Sequence, residues 1–530
     1  MAKFNRNGTR AATSSPVVTA QAPAGRTPEG GPGYARDAKS ELFLLAVTNL
    51  VREDTVYEKA RDRDFRYREL VHQVAVADHD WMAGFLPWLR HRANLRSAAV
   101  VGALEAVRAR LDAGLAGGNR GLVSSVLARA DEPGEALAYW ISTYGRAVPK
   151  PVKRGIADAV LRLGTEFNYV KWGSTESRGF TFAHILNLTH PGDRKGSSQG
   201  NRFQGPWQHD LFGYVVKRPY QAGTPIPESL ETLTRRSALL SMPVDERRRV
   251  LEDPELLRRA GITWEALAGW LQSPMNAAAW EAIIPSMGVF ALVRNLRNFD
   301  RVKVSDQVAE VVAARISDPE VIARSRMLPF RFLAAYQAAP SLRWSYALER
   351  ALNHSLANVP ALRGRSLILV DRSGSMFGRI SGKSGLNRAD SAAIFGTALA
   401  MRAERADLVE FGTGHRPVRV DRGESLLPVL KRFGDLGGTN TAEAVRANYR
   451  DHDRVVIVTD EQAWGGHDGG DPTAQVPADV PVYTWNLAGY RYGHGPSGTG
   501  SRHTFGGLND AAFTLIPLVE AGRSADWPWM

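Results

Sequence analysis

Apolar residues recur at helical spacing along the first two thirds of this chain. Between Asp306 and Ile316, Val308, Val311, Val312 and Ile316 fall at i, i+3, i+4 and i+8, one stripe of a helix. Ser317-Asp318-Pro319 then stops that helix and starts another, with Asp318 at the N-cap and Pro319 at the first helical position. Similar stripes run through residues 41–51, 97–111, 135–144, 156–163, 264–271 and 276–296. Gly and Pro punctuation between them predicts antiparallel helix pairs stacked as a solenoid, with no fixed sequence period beneath the spacing.

The pattern changes beyond residue 361. Leu367 to Val370 and Val455 to Val458 are short unbroken apolar runs, as expected of strands buried on both faces of a parallel sheet. The first runs into Asp371-Arg-Ser373-Gly-Ser375, the second into Thr459-Asp460. Between them Gly437-Gly438-Thr439-Asn440-Thr441 forms a Gly-rich loop entering a helix, with Asn440 and Glu443 at capping-box spacing. Ligands of open α/β sheets sit beyond the carboxyl ends of strands. One carboxylate and two hydroxyls at such an end are hard oxygen donors, suited to Mg²⁺ rather than zinc or copper. They are too few for octahedral coordination, so the two later segments must supply the rest. An isolated Asp-x-Ser-x-Ser serves equally well to cap turns; three elements in this order favour a single divalent cation.

That order resembles the metal-ion-dependent adhesion site of von Willebrand factor A domains, over residues 365–522. The resemblance implies a doubly wound α/β domain. In it Ser373, Ser375 and Thr439 would bind the metal directly, and Asp371 and Asp460 mainly through water.

Composition and charge divide the chain further. With 530 residues, two or three domains are expected. No run of eighteen apolar residues marks a membrane span. The absence of cysteine excludes disulfides, thiolate zinc sites and thiol catalysis. The first 35 residues are rich in Ala, Thr, Ser, Pro and Gly and lack an apolar signal core, so a disordered tail and a cytoplasmic protein are expected. The predicted units are a tail over 1–35, a helical domain over 36–360 and an α/β domain over 361–530. The last holds 19 Lys plus Arg against 19 Asp plus Glu, whereas residues 1–360 hold 48 against 36, the whole net charge of +12. Clusters such as Arg90/Arg92/Arg96 and Arg294/Arg297/Arg301/Lys303 each read most simply as solvated faces. The one-sided excess points instead to a polyanionic partner, and Arg forks suit phosphate.

Several helical segments carry a second resemblance: Thr55-Val-Tyr57-Glu58, His184-Ile-Leu-Asn-Leu-Thr189-His190-Pro191, Trp280 to Met287 followed by Leu292-Val-Arg294-Asn295-Leu296, and Leu328-Pro329-Phe330-Arg331-Phe332. Together they are similar to the TROVE module. TROVE followed directly by a von Willebrand A domain resembles the Ro autoantigen family and its bacterial orthologues. The resemblance implies a HEAT-like α-helical ring closed by the α/β domain. It implies small noncoding Y-like RNA on the outer surface, single-stranded 3′ ends of misfolded RNA in the hole, and cooperation with an exoribonuclease such as polynucleotide phosphorylase. Carried over residue by residue, His190 takes the RNA-contacting position, with a capping or core role equally open, and Lys171 and Arg178 are the nearest matches to the basic residues before it. Arg294 and Arg297 complete the expected RNA contacts. A basic insert over 192–202 departs from the family pattern.

Enzymatic readings find little support. The chain has no Walker lysine after its Gly-rich loops, no Gly-x-Ser-x-Gly elbow and no His-Glu-x-x-His. The expected function is therefore RNA binding in a Ro-type ribonucleoprotein without catalysis. The alternative is a Mg²⁺-dependent protein-recognition scaffold that carries no RNA.

Overall fold

The computed structural model describes residues 13–48, 53–172, 179–192, 203–357, 359–380, 386–421, 423–465, 470–508, 511–521 and 524–530. Helices fill the span from Ala38 to His354, and several begin at a side-chain cap, among them Asp78, Thr181, Asp253, Thr263, Asn276 and Ser341. Asp318 accepts from Val321 N at 2.9 Å and opens Pro319–Ser325, as expected. The stripe over 276–296 is two helices rather than one, Ala277–Ile283 and Val289–Val302. Pro285 lacks the N–H that a continuing helix needs, so a short 3₁₀ turn, Ile284–Ser286, intervenes before Gly288 caps the second helix.

The C-terminal half is built on a six-stranded sheet. In chain order the strands are β1 Thr13–Ser14, β2 Gly25–Arg26, β3 Pro32–Ala35, β4 Leu362–Asp371, β5 Ala403–Phe411, β6 His415–Pro417, β7 Arg454–Thr459, β8 Val482–Asn486, β9 Tyr492–Gly493, β10 Thr499–Gly500 and β11 Arg502–Gly506. The large sheet runs β11-β8-β7-β4-β5-β6, parallel except for the β6 edge. Leu367, Ile368, Leu369 and Val370 pair with β5 on one side and β7 on the other and are fully buried, as their unbroken apolar run predicts. The chain leaves β4 toward β5 and later returns to β7 on the opposite side. That reversal puts a topological switch point at the ends of β4 and β7, where a ligand crevice belongs.

Both ends of the helical half dock on this domain. Helix Ala38–Thr48 packs on β11, and helices Pro329–Ala338 and Leu342–His354 pack on Arg388–Arg402 and Leu426–Leu430. The chain terminus adds an aromatic clasp, Trp527 and Trp529 against Phe43, Trp81 and Phe85, with ring centroids 5.1–5.3 Å apart. A direct bond also closes the helical ring, Asn94 Nδ2 to the Arg326 carbonyl at 2.9 Å.

The expected disordered tail is not what the structure shows for residues 13–35. β1 pairs with β10, and β2 and β3 form a hairpin that pairs through β3 with β9, so these residues strap across the α/β domain. Their order comes from a partner rather than from a core of their own. Ser497 Oγ bonds the Val17 carbonyl at 2.8 Å and Thr27 Oγ1 the Ala463 carbonyl at 2.8 Å. Glycine permits the close approach, because a Cβ on Gly31 would lie 2.5 Å from the Ala463 oxygen. Composition alone cannot reveal such a partner.

Candidate cation site and basic cleft

Five oxygen-bearing residues meet at the switch point. β4 delivers Asp371, whose Oδ2 accepts from Thr459 Oγ1 at 2.5 Å and whose Oδ1 accepts from Ser373 N at 2.9 Å. The turn that follows sets Ser373 Oγ and Ser375 Oγ 3.2 Å apart. Gly374 N donates to the Gly437 carbonyl at 2.5 Å, tying the Gly-rich loop to the same turn. Thr439 lies two residues farther along that loop, and Asn440 caps the helix Thr441–Asn448 through Glu443 N at 3.3 Å. The other half of the anticipated capping box is missing, because the Glu443 carboxylate turns to Arg446. β7 ends beside β4 and presents Asp460, which accepts from Gln462 N at 3.1 Å through Oδ1.

The electrostatics of this cluster call for a cation. Asp371, Ser373 and Asp460 are fully inaccessible to solvent, and Ser375 and Thr439 nearly so. Burial pushes the Asp371 carboxyl up, and burial plus the neighbouring Asp371 charge pushes Asp460 up as well. Arg388 relieves Asp460 only in part, and among the described residues Asp460 Oδ2 has no hydrogen-bond partner. Two adjacent buried carboxylates, one orphaned oxygen and two hydroxyls at 3.2 Å form an all-oxygen donor set that fits a hard divalent ion. Among the described residues no three His, Cys, Asp or Glu side chains converge in metal-binding geometry. The set here has only two carboxylates and owes the rest of its donors to hydroxyls.

A different kind of site lies where the ring closes. A cavity of about 490 Å³ is lined by Arg90, Arg96, Arg129, Arg331 and Phe290 among others. A second, of about 790 Å³, adds Arg92 and Arg326 on the other side of the closure. Some of these arginines are satisfied internally: Arg90 bonds Glu132 at 2.6 Å, and Arg96 and Arg129 share Asp131. Arg92, Arg294, Arg326 and Arg331 form no ion pair among the described residues. The surrounding wall desolvates the exposed Arg331, and the Arg294 charge adds to this, so its pKa falls from the ordinary arginine value. Two like charges held together in a concave wall favour an anion.

The expected RNA contacts divide around this cleft. Lys171 is exposed at the end of helix Glu166–Trp172, 5.0 Å from the Trp172 ring, whose plane also carries Arg129 at 4.7 Å. Trp172 and Arg129 therefore link Lys171 to the cavity wall. Arg294 sits on Val289–Val302 above Phe290, which lines the same cavity, and Arg297 is exposed one turn later. His190 is exposed with a left-handed backbone, φ 46°, at the C-cap of Phe182–Thr189, which removes the core role left open for it. Among the described residues no contact ties it to the cleft. Arg178 and insert residues 193–202 lie outside the described residues. Among the residues not singled out, Arg331 was visible within the Leu328-Pro329-Phe330-Arg331 motif.

Residues 257–344 match the model of the TROVE domain family. The structure is similar to the crystal structure of the Deinococcus radiodurans Ro (RSR) protein. That likeness has a TM-score of 0.61 at 17% identity and covers 91% of this chain and 100% of that one. No curated protein matches the sequence. The resemblance read from the helical motifs is thus borne out by a TROVE segment in the helical half and by a Ro fold across nearly the whole chain.

Proposed function

We propose that this protein is a Ro-type RNA-binding protein whose helical ring holds RNA and whose α/β domain holds one Mg²⁺ ion. The observation that carries the reading is the set of guanidinium groups without carboxylate partners among the described residues, Arg92, Arg294, Arg326 and Arg331, around the ring closure. They lie in the half of the chain that has the whole net charge of +12. Exposed arginine forks in a concave wall bind phosphate, and the neighbouring Phe290 and Trp172 rings offer stacking faces for unpaired bases. The finer assignment follows the family likeness. Small Y-like RNA binds the outer ring, single-stranded 3′ ends of structured or misfolded RNA enter the hole, and a cytoplasmic exoribonuclease such as polynucleotide phosphorylase removes what is delivered. The protein itself is not an enzyme in this reading. Asp371, Ser373, Ser375, Thr439 and Asp460 hold the Mg²⁺, which supplies a Lewis-acidic point for an acidic group to bind.

The test compares a blunt RNA duplex with the same duplex bearing a 3′ single-stranded tail, at one salt concentration. The tailed RNA should bind more tightly, because bases inside an A-form helix cannot be stacked upon. Equal affinity would remove the hole from the account. The rival reading, a Mg²⁺-dependent protein scaffold without RNA, draws on the buried oxygen cluster alone and leaves the unpaired arginines without a role. Nucleic acid co-purifying with the protein separates the two.

A further inference from the structure

We propose that the N-terminal strap carries a built-in acidic ligand for the cation site, Glu29. When the cation binds, the Glu29 carboxylate moves into the outward coordination position that an acidic partner would otherwise take. The inference rests on reading the oxygen cluster as a cation site.

Glu29 stands at the tip of the turn joining β2 to β3. Thr27 N to the Gly31 carbonyl and Gly30 N to the Thr27 carbonyl, both at 2.9 Å, set that turn, and Gly31 N donates to Thr27 Oγ1 at 3.0 Å. The tip is fastened to the loop that leaves Asp460. Thr27 Oγ1 donates to the Ala463 carbonyl at 2.8 Å, Gly30 pairs with Trp464, and Gly465 N donates to the Glu29 carbonyl at 3.3 Å. A Cβ on Gly465 would come within 2.2 Å of the Gly30 oxygen, so the two backbones lie in contact. Trp464 N in turn donates to the Thr439 carbonyl at 2.8 Å. The strap is therefore attached to both the Asp460 loop and the Thr439 loop.

The Glu29 side chain provides the link to the cluster. It accepts a hydrogen bond from the Tyr57 hydroxyl, and burial, Glu29 and the nearby Asp460 charge together push that phenol's pKa up. The Tyr57 ring thus lies beside both the Glu29 carboxylate and the cluster that holds Asp460. Val56 fixes the phenol's segment, since a Cβ on Gly378 would lie 2.9 Å from Val56 Cγ2. Placing a third carboxylate beside the buried Asp371 and Asp460 is unfavourable by itself and is reversed in sign by a divalent ion. With Ser373, Ser375, Thr439 and the two aspartates on the inner side, the outward side is the position left for a sixth oxygen. Glu29 reaches it by moving past the Tyr57 phenol. A ligand tethered in this way competes at an effective concentration in the millimolar range, so a free acidic group binds well only after the strap lifts.

Mn²⁺ serves as a paramagnetic probe in the full chain, read through its affinity and through the water-proton relaxation each bound ion causes. Glu29→Gln should weaken Mn²⁺ binding about tenfold, the lower end expected when a supporting ligand is removed. It should also raise the relaxation per bound ion, because water enters the vacated position. Acetate should quench that excess in Glu29→Gln and leave the wild type unchanged. In the wild type, Mn²⁺ should slow hydrogen exchange at Gly30, Gly31 and Gly465, and in Glu29→Gln it should not. If affinity and relaxation are the same in the two proteins, or if acetate quenches both alike, the proposal is overturned. Asp371→Ala isolates the underlying reading. Wild-type Mn²⁺ binding no stronger than in Asp371→Ala means that the cluster holds no cation, which overturns both; binding lost only in Asp371→Ala leaves the cation site standing and tests Glu29 alone.

Discussion

The two candidate sites are built on opposite principles. At the ends of β4 and β7, Asp371 and Asp460 are withdrawn from water and one carboxylate oxygen is left without a partner among the described residues, so the fold contains an unmet demand for positive charge. At the ring closure, Arg92, Arg326 and Arg331 keep their guanidiniums in solvent, and their charge acts as a field over a cleft. A buried site is specific and brittle, because low dielectric magnifies each missing partner. An exposed array is tolerant and graded, because every charge adds a small, salt-screened increment. The division of charge along the chain, zero net in one half and +12 in the other, is the sequence trace of this difference.

The largest effect expected from breaking the contrast comes from reversing charge at the cleft. Arg294→Glu with Arg331→Glu should weaken RNA binding by two orders of magnitude or more, about 1–3 kcal/mol per arginine. The slope of log affinity against log salt should fall by about one unit for each phosphate that is no longer neutralised. Mg²⁺ binding should stay as it was. Filter binding over a salt series reads both quantities, and a salt-independent affinity in the wild type would falsify the polyanion assignment.

Next in size is Asp371→Ala, which acts on the other site only. It should abolish the stabilisation that Mg²⁺ confers, about 2.7 kcal/mol at a hundredfold excess over Kd, since a ligand stabilises only the state it binds. RNA affinity should change less than twofold. Thermal melts with and without Mg²⁺, beside one RNA titration, check this. A folded Asp371→Ala protein that loses RNA would merge the two sites and end the contrast.

What was legible in the sequence follows the same line. Leu367 to Val370 and Arg454 to Thr459 announce buried parallel strands because burial on both faces leaves an unbroken apolar run. The oxygens at their ends could then be placed by topology alone. Helix stripes and Asp318-Pro319 were equally readable, since caps and periodicity are local. The strap was not, because Thr27 and Gly31 gain their order from the Ala463 carbonyl more than 430 positions away. Lys171, Arg294 and His190 look alike as basic residues, and only the fold shows that Lys171 and Arg294 adjoin the cleft wall while no contact among the described residues ties His190 to it. Composition reveals which half carries the field; the arrangement of that field depends on contacts across the ring.

A third prediction extends the contrast to pH. His503 is buried on β11 with Nδ1 3.0 Å from Ser15 Oγ of the strap, and burial lowers its pKa from 6.5 to about 4. The unfolded chain therefore takes up the proton first as pH falls, and the native state does so only near pH 4. The stabilisation is complete above pH 6.5 and is lost on acidification toward pH 4, at most about 1.4 kcal/mol per unit. Between pH 6.5 and 5 this amounts to about 1.6 kcal/mol. The raised Asp460 carboxyl acts in the opposite direction over the same range, so the difference between two proteins is what isolates His503. On going from pH 6.5 to 5, urea unfolding should show the wild type changing by about that amount more toward instability than His503→Asn, which keeps an amide donor without titrating. Equal changes would place the sensitivity elsewhere.

The smallest expected difference sharpens the contrast at the closure itself. Asn94 and Arg326 both adopt left-handed backbones, φ 56° and 52°, and meet through the 2.9 Å bond from Asn94 Nδ2 to the Arg326 carbonyl. Asn visits that region more readily than most residues with a Cβ, and here its amide also gains the Arg326 bond; Ala would meet the strain, about 1–2 kcal/mol, and lose the bond. Glycine loses the bond too but adopts that backbone freely, at an entropic cost of about 0.5–1 kcal/mol. Asn94→Ala should therefore cost about 2 kcal/mol, the strain plus a solvent-exposed hydrogen bond, and Asn94→Gly about 1 kcal/mol. Neither changes a charge, so both should bind RNA within about twofold of the wild type if the field of exposed arginines decides affinity. Should Asn94→Gly keep its stability and yet lose RNA tenfold, the width of the closure rather than its charge would set binding, and the graded site would prove as dependent on geometry as the buried one.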